Sequence, residues 1–486
     1  MKTLFSYLTP TFGLLFALCL APVSMATGQQ FDPDEVAQGG ATTHYKAADS
    51  KAFSHPAANM PFAQQMDYRL GLGIFKKLWV AAPSSTTASD GLGPLYNARS
   101  CMQCHRNNGR GHTPDPDNPA DNAISLFLRL SIPPQTEAQR QALASGRLGS
   151  IPEPVYGNQL QDFAVSGLSA EGRLRISYRE FQITLNGGEQ VSLRKPEYHI
   201  DDPQFGPLHP QLMTSPRLTP PMIGLGLLER IPQQAILALS DPDDRDGDGI
   251  SGRANWVWDQ AAQGKALGRF GWKAGMPNLQ QQNSAAFNGD IGISTADARN
   301  PYGDCTKAQH ACLRLAHGAS PIHADLEAAP EMDRTVLFFS QHIAVPARRN
   351  ADNPDVLAGK QLFLQTGCAR CHQPDFVTAT DSQRPALSQQ KIWPYTDLLL
   401  HDMGDGLADQ RPEFAANGRE WRTPPLWGIG LTRLVSGHTH FLHDGRARSL
   451  LEAILWHGGE ARSARDNVVN MPVSDRAKLI KFLESL

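Results

Sequence analysis

Two five-residue runs constrain this chain more than anything else in it: Cys101-Met102-Gln103-Cys104-His105 and Cys368-Ala369-Arg370-Cys371-His372. The 486 residues hold 7 Cys and 16 His. Chance placement would give such a run only about 0.003 times per chain, so two of them carry chemistry. Two thiols one helical turn apart can add to the two vinyl groups of one haem, and the adjacent imidazole then reaches the iron. A thioredoxin-type dithiol or half of a zinc site would account for the cysteines, but not for a His in the same place twice. Two covalently bound haem c groups are therefore expected, attached at Cys101 and Cys104 and at Cys368 and Cys371, with His105 and His372 as iron ligands.

The N-terminus carries Lys2, an apolar run and then Ser24-Met25-Ala26, the small-x-small pattern of a secretory cleavage site. A signal peptide is expected over residues 1–26, with export to the periplasm. No other stretch is apolar and long enough to span a bilayer, so the exported chain is expected to be soluble. The formal charge of −3 moves only to −4 when Lys2 is removed, too small a bias for nucleic acid or a membrane surface. In an oxidising compartment Cys305 and Cys312, seven residues apart and with no adjacent His, read as a disulfide. Zinc bound with His310 is the alternative.

Amphipathic periodicity predicts a helix running into the second motif and another at the C-terminus, with Leu479, Ile480, Leu483 and Leu486 on its apolar face. Two helices bracketing CxxCH look like a cytochrome c domain. An internal repeat extends the idea: Thr219-Pro-Pro-Met-Ile-Gly-Leu-Gly-Leu227 and Thr423-Pro-Pro-Leu-Trp-Gly-Ile-Gly-Leu431 each follow one motif. The expected fold is mainly α, two cytochrome-c-like haem domains in tandem with long loops and a large insertion in the first. The boundaries are 27–346 and 347–486. Continuing the repeat, Ala235-Ile236-Leu237 matches Ala453-Ile454-Leu455, which sets Leu239 opposite His457.

His457 lies on a short helix that Ser449 and Glu452 start and Gly458 and Gly459 stop. It shares a face with Leu450 and Ile454, where the pattern asks for an apolar residue. The stretches "HDMGDG", "WRTPPLWGIG" and "FLHDGRARSLLEAI" resemble the C-terminal haem domain of bacterial di-haem cytochrome c peroxidases and MauG-type enzymes. "GPLYNARSCMQCHRNNGRG", "IGLGLLERIP", "DGDGISGRANWVWD" and "GRFGWKAG" resemble the di-haem oxidoreductase, putative peroxidase family. The resemblance covers about 90 to 486. Relatives present Met or Tyr to the sixth position of the C-terminal haem at the place where this chain has His457. A bis-His pair of His372 and His457 is thus expected, favouring ferric iron and a lower potential than His/Met ligation.

The resemblance further implies that the C-terminal haem passes electrons from a redox protein donor to an open N-terminal haem, which reacts with hydrogen peroxide or another small oxidant. Relatives carry an essential distal carboxylate, and Glu229 is the candidate here, a surface glutamate being the plainer reading. His112 is a rival sixth ligand of the first haem; if it binds, the protein is an electron carrier with both irons six-coordinate and no peroxidase activity. Arg422, Arg446 and His401 recur in motifs of the relatives, and the arginines suit haem propionates. Trp256, Trp258, Trp272 and Trp393 are candidates for an electron relay between the haems. Asp244, Asp246 and Asp248 followed by Gly249 match the first half of a calcium loop, although Asn255 replaces the Glu of its twelfth position.

Overall fold

Two helix pairs frame the protein. Gln65–Lys76 buries Tyr68, Gly71 and Phe75 on one stripe and crosses Pro330–Gln341. At the crossing a Cβ on Gly71 would run into the Thr335 carbonyl and the Phe339 side chain. Pro354–Gln365 crosses Val473–Ser485 in the same way, with Gly359 against the Lys478 carbonyl and Phe482. Only a glycine lets two helix backbones approach so closely. Asn353 caps the third of these helices, accepting from the Asp355 N–H at 2.9 Å, and proline opens both Pro330–Gln341 and Pro354–Gln365. This computed structural model describes Met1 and residues 31–486 except 87, 116, 117, 119, 120 and 122. The expected signal peptide, apart from Met1, lies outside the described residues.

The expectation of a mainly α chain of two tandem haem domains is overturned. Helix accounts for 30% of the chain and strand for 18%, and the strands form seven two-stranded sheets among the described residues. The longest is an antiparallel hairpin, Arg173–Thr184 with Gln190–Asp201, in which Ile176 faces Tyr198 and Phe181 faces Leu193. Asn186-Gly187-Gly188 at its turn, between two runs of alternating polarity, is the local signal for it. A second ladder pairs Leu126–Ser131 with Met213–Leu218.

The two halves also interlock rather than follow one another. Near the N-terminus, buried Glu35 forms ion pairs with Arg348 and Lys360, and the Gln38 carbonyl accepts from Trp393 N at 2.8 Å. The long hairpin reaches the other way. Arg194 Nε donates to the Arg446 carbonyl at 2.9 Å, and the Tyr198 hydroxyl donates to Asp444 at 2.9 Å. The main core accordingly joins Phe75, Leu228, Phe287 and Phe339 to Trp427 and Leu431. Buried polar groups need partners, and here those partners come from the opposite half, which apolar periodicity does not register.

Candidate functional site

Each CxxCH motif opens into its own cavity. The second, of about 260 Å³, is lined by Cys368, Cys371, His372 and, from a different helix, His457. Nδ1 of His372 lies 2.9 Å from the Tyr395 carbonyl oxygen, and Nδ1 of His457 lies 2.7 Å from that of Ala453. A carbonyl only accepts, so each Nδ1 carries the proton and each Nε2 keeps a free lone pair. Burial lowers both rings, His372 to about 4, which keeps them in the neutral form that binds metal. The helix Leu450–Leu455 forms as expected, with Ser449 Oγ accepting from Glu452 N at 3.1 Å.

The first cavity, about 610 Å³, contains Cys101, Cys104 and His105. Nδ1 of His105 meets the Pro220 carbonyl at 3.0 Å, and burial lowers this ring to about 4 as well. The backbone repeat identifies what stands opposite. Gly224 and Gly428 share a left-handed φ of 68° and 71°. Further on, Phe270 bridges Met276 and Asn278 caps Leu279–Ala286, just as Phe441 bridges Ala447 and Ser449 caps Leu450–Leu455. Counted from the caps, the counterpart of His457 is Ala286, which lines the first cavity and offers no donor atom. Leu239, the counterpart expected from sequence, is an exposed residue elsewhere. The helix of Ala286 runs on into Phe287–Ile291, and Asp290 from that turn lines the cavity. Burial raises its carboxyl, opposed by Arg129 and by the Gln159 amide that donates to it at 2.9 Å.

Trp272, Arg110 and Arg422 line both cavities. The Trp272 indole donates to the Leu218 carbonyl at 2.7 Å and meets His443 edge to face at 6.5 Å; His443 in turn stacks on Trp421 at 3.6 Å. Arg110 and Arg422 are buried, and neither makes an ion pair among the described residues. Burial lowers both guanidinium groups to about 10. Asp397 offsets the Arg422 charge only in part, so two buried cations that line both cavities call for anions, and haem propionates would supply that charge. The buried thiols point the same way. Burial pushes Cys101 up to about 12 and raises Cys104, Cys368 and Cys371, which suits attachment through sulfur and not a reactive thiolate pair. The residues present therefore fit a haem in each cavity.

The remaining expected residues fall as follows. Glu229 does not line either cavity: its carboxylate accepts from Leu279 N at 2.8 Å, Gln341 at 2.7 Å and Arg230 at 2.9 Å, so it anchors the start of the helix bearing Ala286. Arg446 is spent on Asp444 at 2.7 Å and the Gly406 carbonyl, away from both cavities. His112 pairs with Asp121 at 3.2 Å, outside both. His401 lines the second cavity between Asp397 at 2.8 Å and Glu460 at 2.7 Å. Burial opposes a charge on its ring, but Asp397 and Cys371 raise it well above the usual histidine range. Trp258 lines the first cavity, Trp393 packs in the C-terminal core and Trp256 is exposed.

Carboxylate oxygens of Asp244, Asp246 and Asp248 lie within 4.8 Å of one another, and Asp248 pairs with Arg370 of the second motif at 3.1 Å. Cys305 and Cys312 form a disulfide. No helix among the described residues is long and apolar enough to cross a membrane. Arg110, Ala286, Asp290 and His443 went unrecognised in sequence. Arg110 and His443 had a local signal, since both lie inside the quoted stretches "GPLYNARSCMQCHRNNGRG" and "FLHDGRARSLLEAI".

These adjoining cavities fit a protein that holds two haem groups, His372 and His457 lining the second and His105 the first. The chain belongs to the family described as di-haem oxidoreductase, putative peroxidase, which it matches over residues 33–486. No curated protein matches it. Among solved structures it is similar to a chain of Kuenenia stuttgartiensis hydrazine synthase pressurised with 20 bar xenon, at 16% identity and a TM-score of 0.22, covering 34% of this chain. It spans 57% of that chain's length, and nothing is carried over from it.

Proposed function

We propose that this di-haem oxidoreductase is a periplasmic, peroxidase-like enzyme that uses electrons from a redox protein to reduce hydrogen peroxide. The observation that carries the reading is the asymmetry of the two cavities: His457 lines the second with His372, whereas Ala286, in the matching place eight residues past its cap, lines the first with His105. Cys101 and Cys104 would hold one haem c and Cys368 and Cys371 the other, with His105 on the first iron and His372 and His457 on the second. When bound, the haems supply the redox chemistry, electron transfer at the C-terminal site and peroxide reduction at the N-terminal one.

The chain's own residues have separate tasks. Asp290, its carboxyl raised by burial and opposed by Arg129, lines the first cavity where it can give or take a proton, the acid/base duty that the resemblance suggested for Glu229. Gln159 orients that carboxyl. Arg110 and Arg422 would neutralise haem propionates, and Trp272 lines both cavities with a conjugated ring. A calcium ion at Asp244, Asp246 and Asp248 would hold the loop against Arg370. Export rests on the first 26 residues, and the Cys305–Cys312 disulfide supports an oxidising compartment.

The test is low-temperature EPR of the ferric, haem-loaded protein. One high-spin and one low-spin signal are expected. Two low-spin signals would defeat the reading and turn attention to Met222 and Met276, the sulfur donors that line the first cavity.

A further inference from the structure

Cys305 and Cys312, both buried and seven residues apart, close a loop that grips the segment 157–161 at two points. At the first, Asp304, directly before Cys305, accepts from Asn158 N at 2.6 Å, from Gln159 N at 3.0 Å and from the Asn158 side-chain amide at 2.9 Å. At the second, Gln309 donates to Glu171 at 2.6 Å, and Glu171 accepts from Gln161 N at 2.7 Å. Asp304 comes so close that position 157 must be glycine. Gly157 has a φ of 72°, and a Cβ there would lie 2.6 Å from the Asp304 carboxylate.

Both grips lead to the turn that carries Asp290. The Gln159 amide donates to the Asp290 carboxylate at 2.9 Å, and the Gln161 amide donates to the Gly289 carbonyl at 2.9 Å. Gln159 spends its two amide hydrogens on Asp290 and on Asn97 Oδ1 at 2.6 Å, while its Oε1 has no partner. Its aim is therefore set by its backbone, which Asp304 and a β-bridge to Arg129 hold in place. We propose that Asp304, set by the disulfide-closed loop, is a positioning residue for proton transfer in the first cavity: it holds Gln159, and Gln159 holds the Asp290 carboxyl. The inference rests on Asp290 being the acid/base group there. Arg129 is the cation facing Asp290 and it faces Asp304 as well; the Cys101 and Cys104 thiols feel the Asp290 carboxyl too, and cease to titrate once bonded to haem. Removing the Asp304 charge would free Arg129 to act on Asp290 alone, so the test uses variants that alter no charge.

The experiment uses the haem-loaded full chain and follows the ferric Soret band of the His105 site against pH, a titration that Asp290→Asn should abolish. A donated hydrogen bond favours the charged carboxylate, so its loss raises the pH at which Asp290 ionises. Gln159→Met removes the donor and should move that midpoint up by about one pH unit, the size expected for one hydrogen bond to a charged group. Gly157→Ala, which sets a methyl against the Asp304 carboxylate, should move it the same way. So should the paired variant Cys305→Ala with Cys312→Ala, which opens the loop without touching the segment 157–161. Gly157→Ala combined with Gln159→Met should shift no further than Gln159→Met alone. The acid limb of peroxide reduction should follow the same midpoints, with haem content and the potential of the His372 site as in the parent. A midpoint unmoved in both Gly157→Ala and the paired cysteine variant overturns the proposal. A further shift in the combined variant does so too, because Asp304 would then act on the site without Gln159. If Asp290→Asn keeps the titration and acid limb of the parent, the assignment of Asp290 fails and takes the proposal with it. If it abolishes both while the loop variants change nothing, the positioning role alone fails.

Discussion

The carbonyl oxygen of Tyr395 receives the Nδ1 proton of His372 across 2.9 Å. Tyr395 holds that carbonyl in place from an unusual backbone, φ 54°, and is completely buried. Its hydroxyl donates to Glu35, a residue more than three hundred positions away that also pairs with Arg348 and Lys360. The proximal ligand of the second site is thus steadied by the N-terminal segment. Tyr395→Phe removes one buried hydrogen bond and should cost about 1–3 kcal/mol. Urea unfolding should show a lower midpoint at unchanged slope. Haem content should stay full, because the acceptor of His372 is backbone; a variant that loses haem would show that the hydroxyl, not the carbonyl, sets the ligand.

The cap register that equates Ala286 with His457 can be tested by exchange. His457→Ala should remove the low-spin signal of the second site, and His457→Met should raise its midpoint potential, since thioether ligation favours ferrous iron. Ala286→His should do the reverse at the first site, converting its high-spin signal to low-spin and abolishing reaction with peroxide. If Ala286→His leaves the high-spin signal in place, the two helices do not present equivalent positions to their cavities.

What was legible in the sequence follows the range of the interactions involved. The attachment residues are read from five consecutive positions, and His457 from about two helical turns beyond a Ser449 cap. The disulfide needed only Cys305 and Cys312. The hairpin Arg173–Thr184 with Gln190–Asp201 also carries a local signal, in its alternation and its Asn-Gly-Gly turn. Arg110 and Arg422 are different in kind. Each looks like an ordinary cation until burial removes the water around it and leaves it without an ion pair among the described residues, Asp397 acting on Arg422 only from a distance. The first site's counterpart of His457 was misplaced at Leu239 because three identical residues outweighed the caps. The Phe270–Met276 and Phe441–Ala447 bridges share geometry and almost no sequence.

Acid should reveal the charge cluster of the first cavity. Burial alone would raise the Glu413 carboxyl, but Arg217, Arg411 and Lys273 hold it down at about 2. A carboxyl depressed in the folded state stabilises above its unfolded pKa and stops doing so as pH falls through the folded value. Stability from Glu413 should therefore be complete above about pH 4.5 and fade toward about pH 2. A shift of that size corresponds to about 3 kcal/mol. Glu413→Gln should be less stable at neutral pH and show a flatter acid limb over that window. An acid limb equally steep in parent and variant would mean that another carboxylate carries it.

The acidic loop offers a test by metal removal. Asp244, Asp246 and Asp248 bring three carboxylates together, and Asp248 reaches Arg370 between the two cysteines of the second motif. Two residues past Gly249, Ser251 donates to Glu460 at 2.7 Å, and Glu460 holds His401 against the second cavity. Bound calcium would neutralise the mutual repulsion of the carboxylates and fix this path. At a hundredfold excess over its dissociation constant, an ion bound only by the folded state adds about 2.7 kcal/mol, which for a chain of this size moves the thermal midpoint by about 3 °C. EGTA should lower the midpoint of the haem-loaded protein by that amount, and added calcium should restore it. Asp246→Asn should remove the response while leaving haem content unchanged. The low-spin signal of the His372 site should shift with EGTA and the high-spin signal of the His105 site should not, because the loop touches only the second cavity. A midpoint and a spectrum both indifferent to EGTA would identify the loop as a solvated acidic turn held by Arg370 alone.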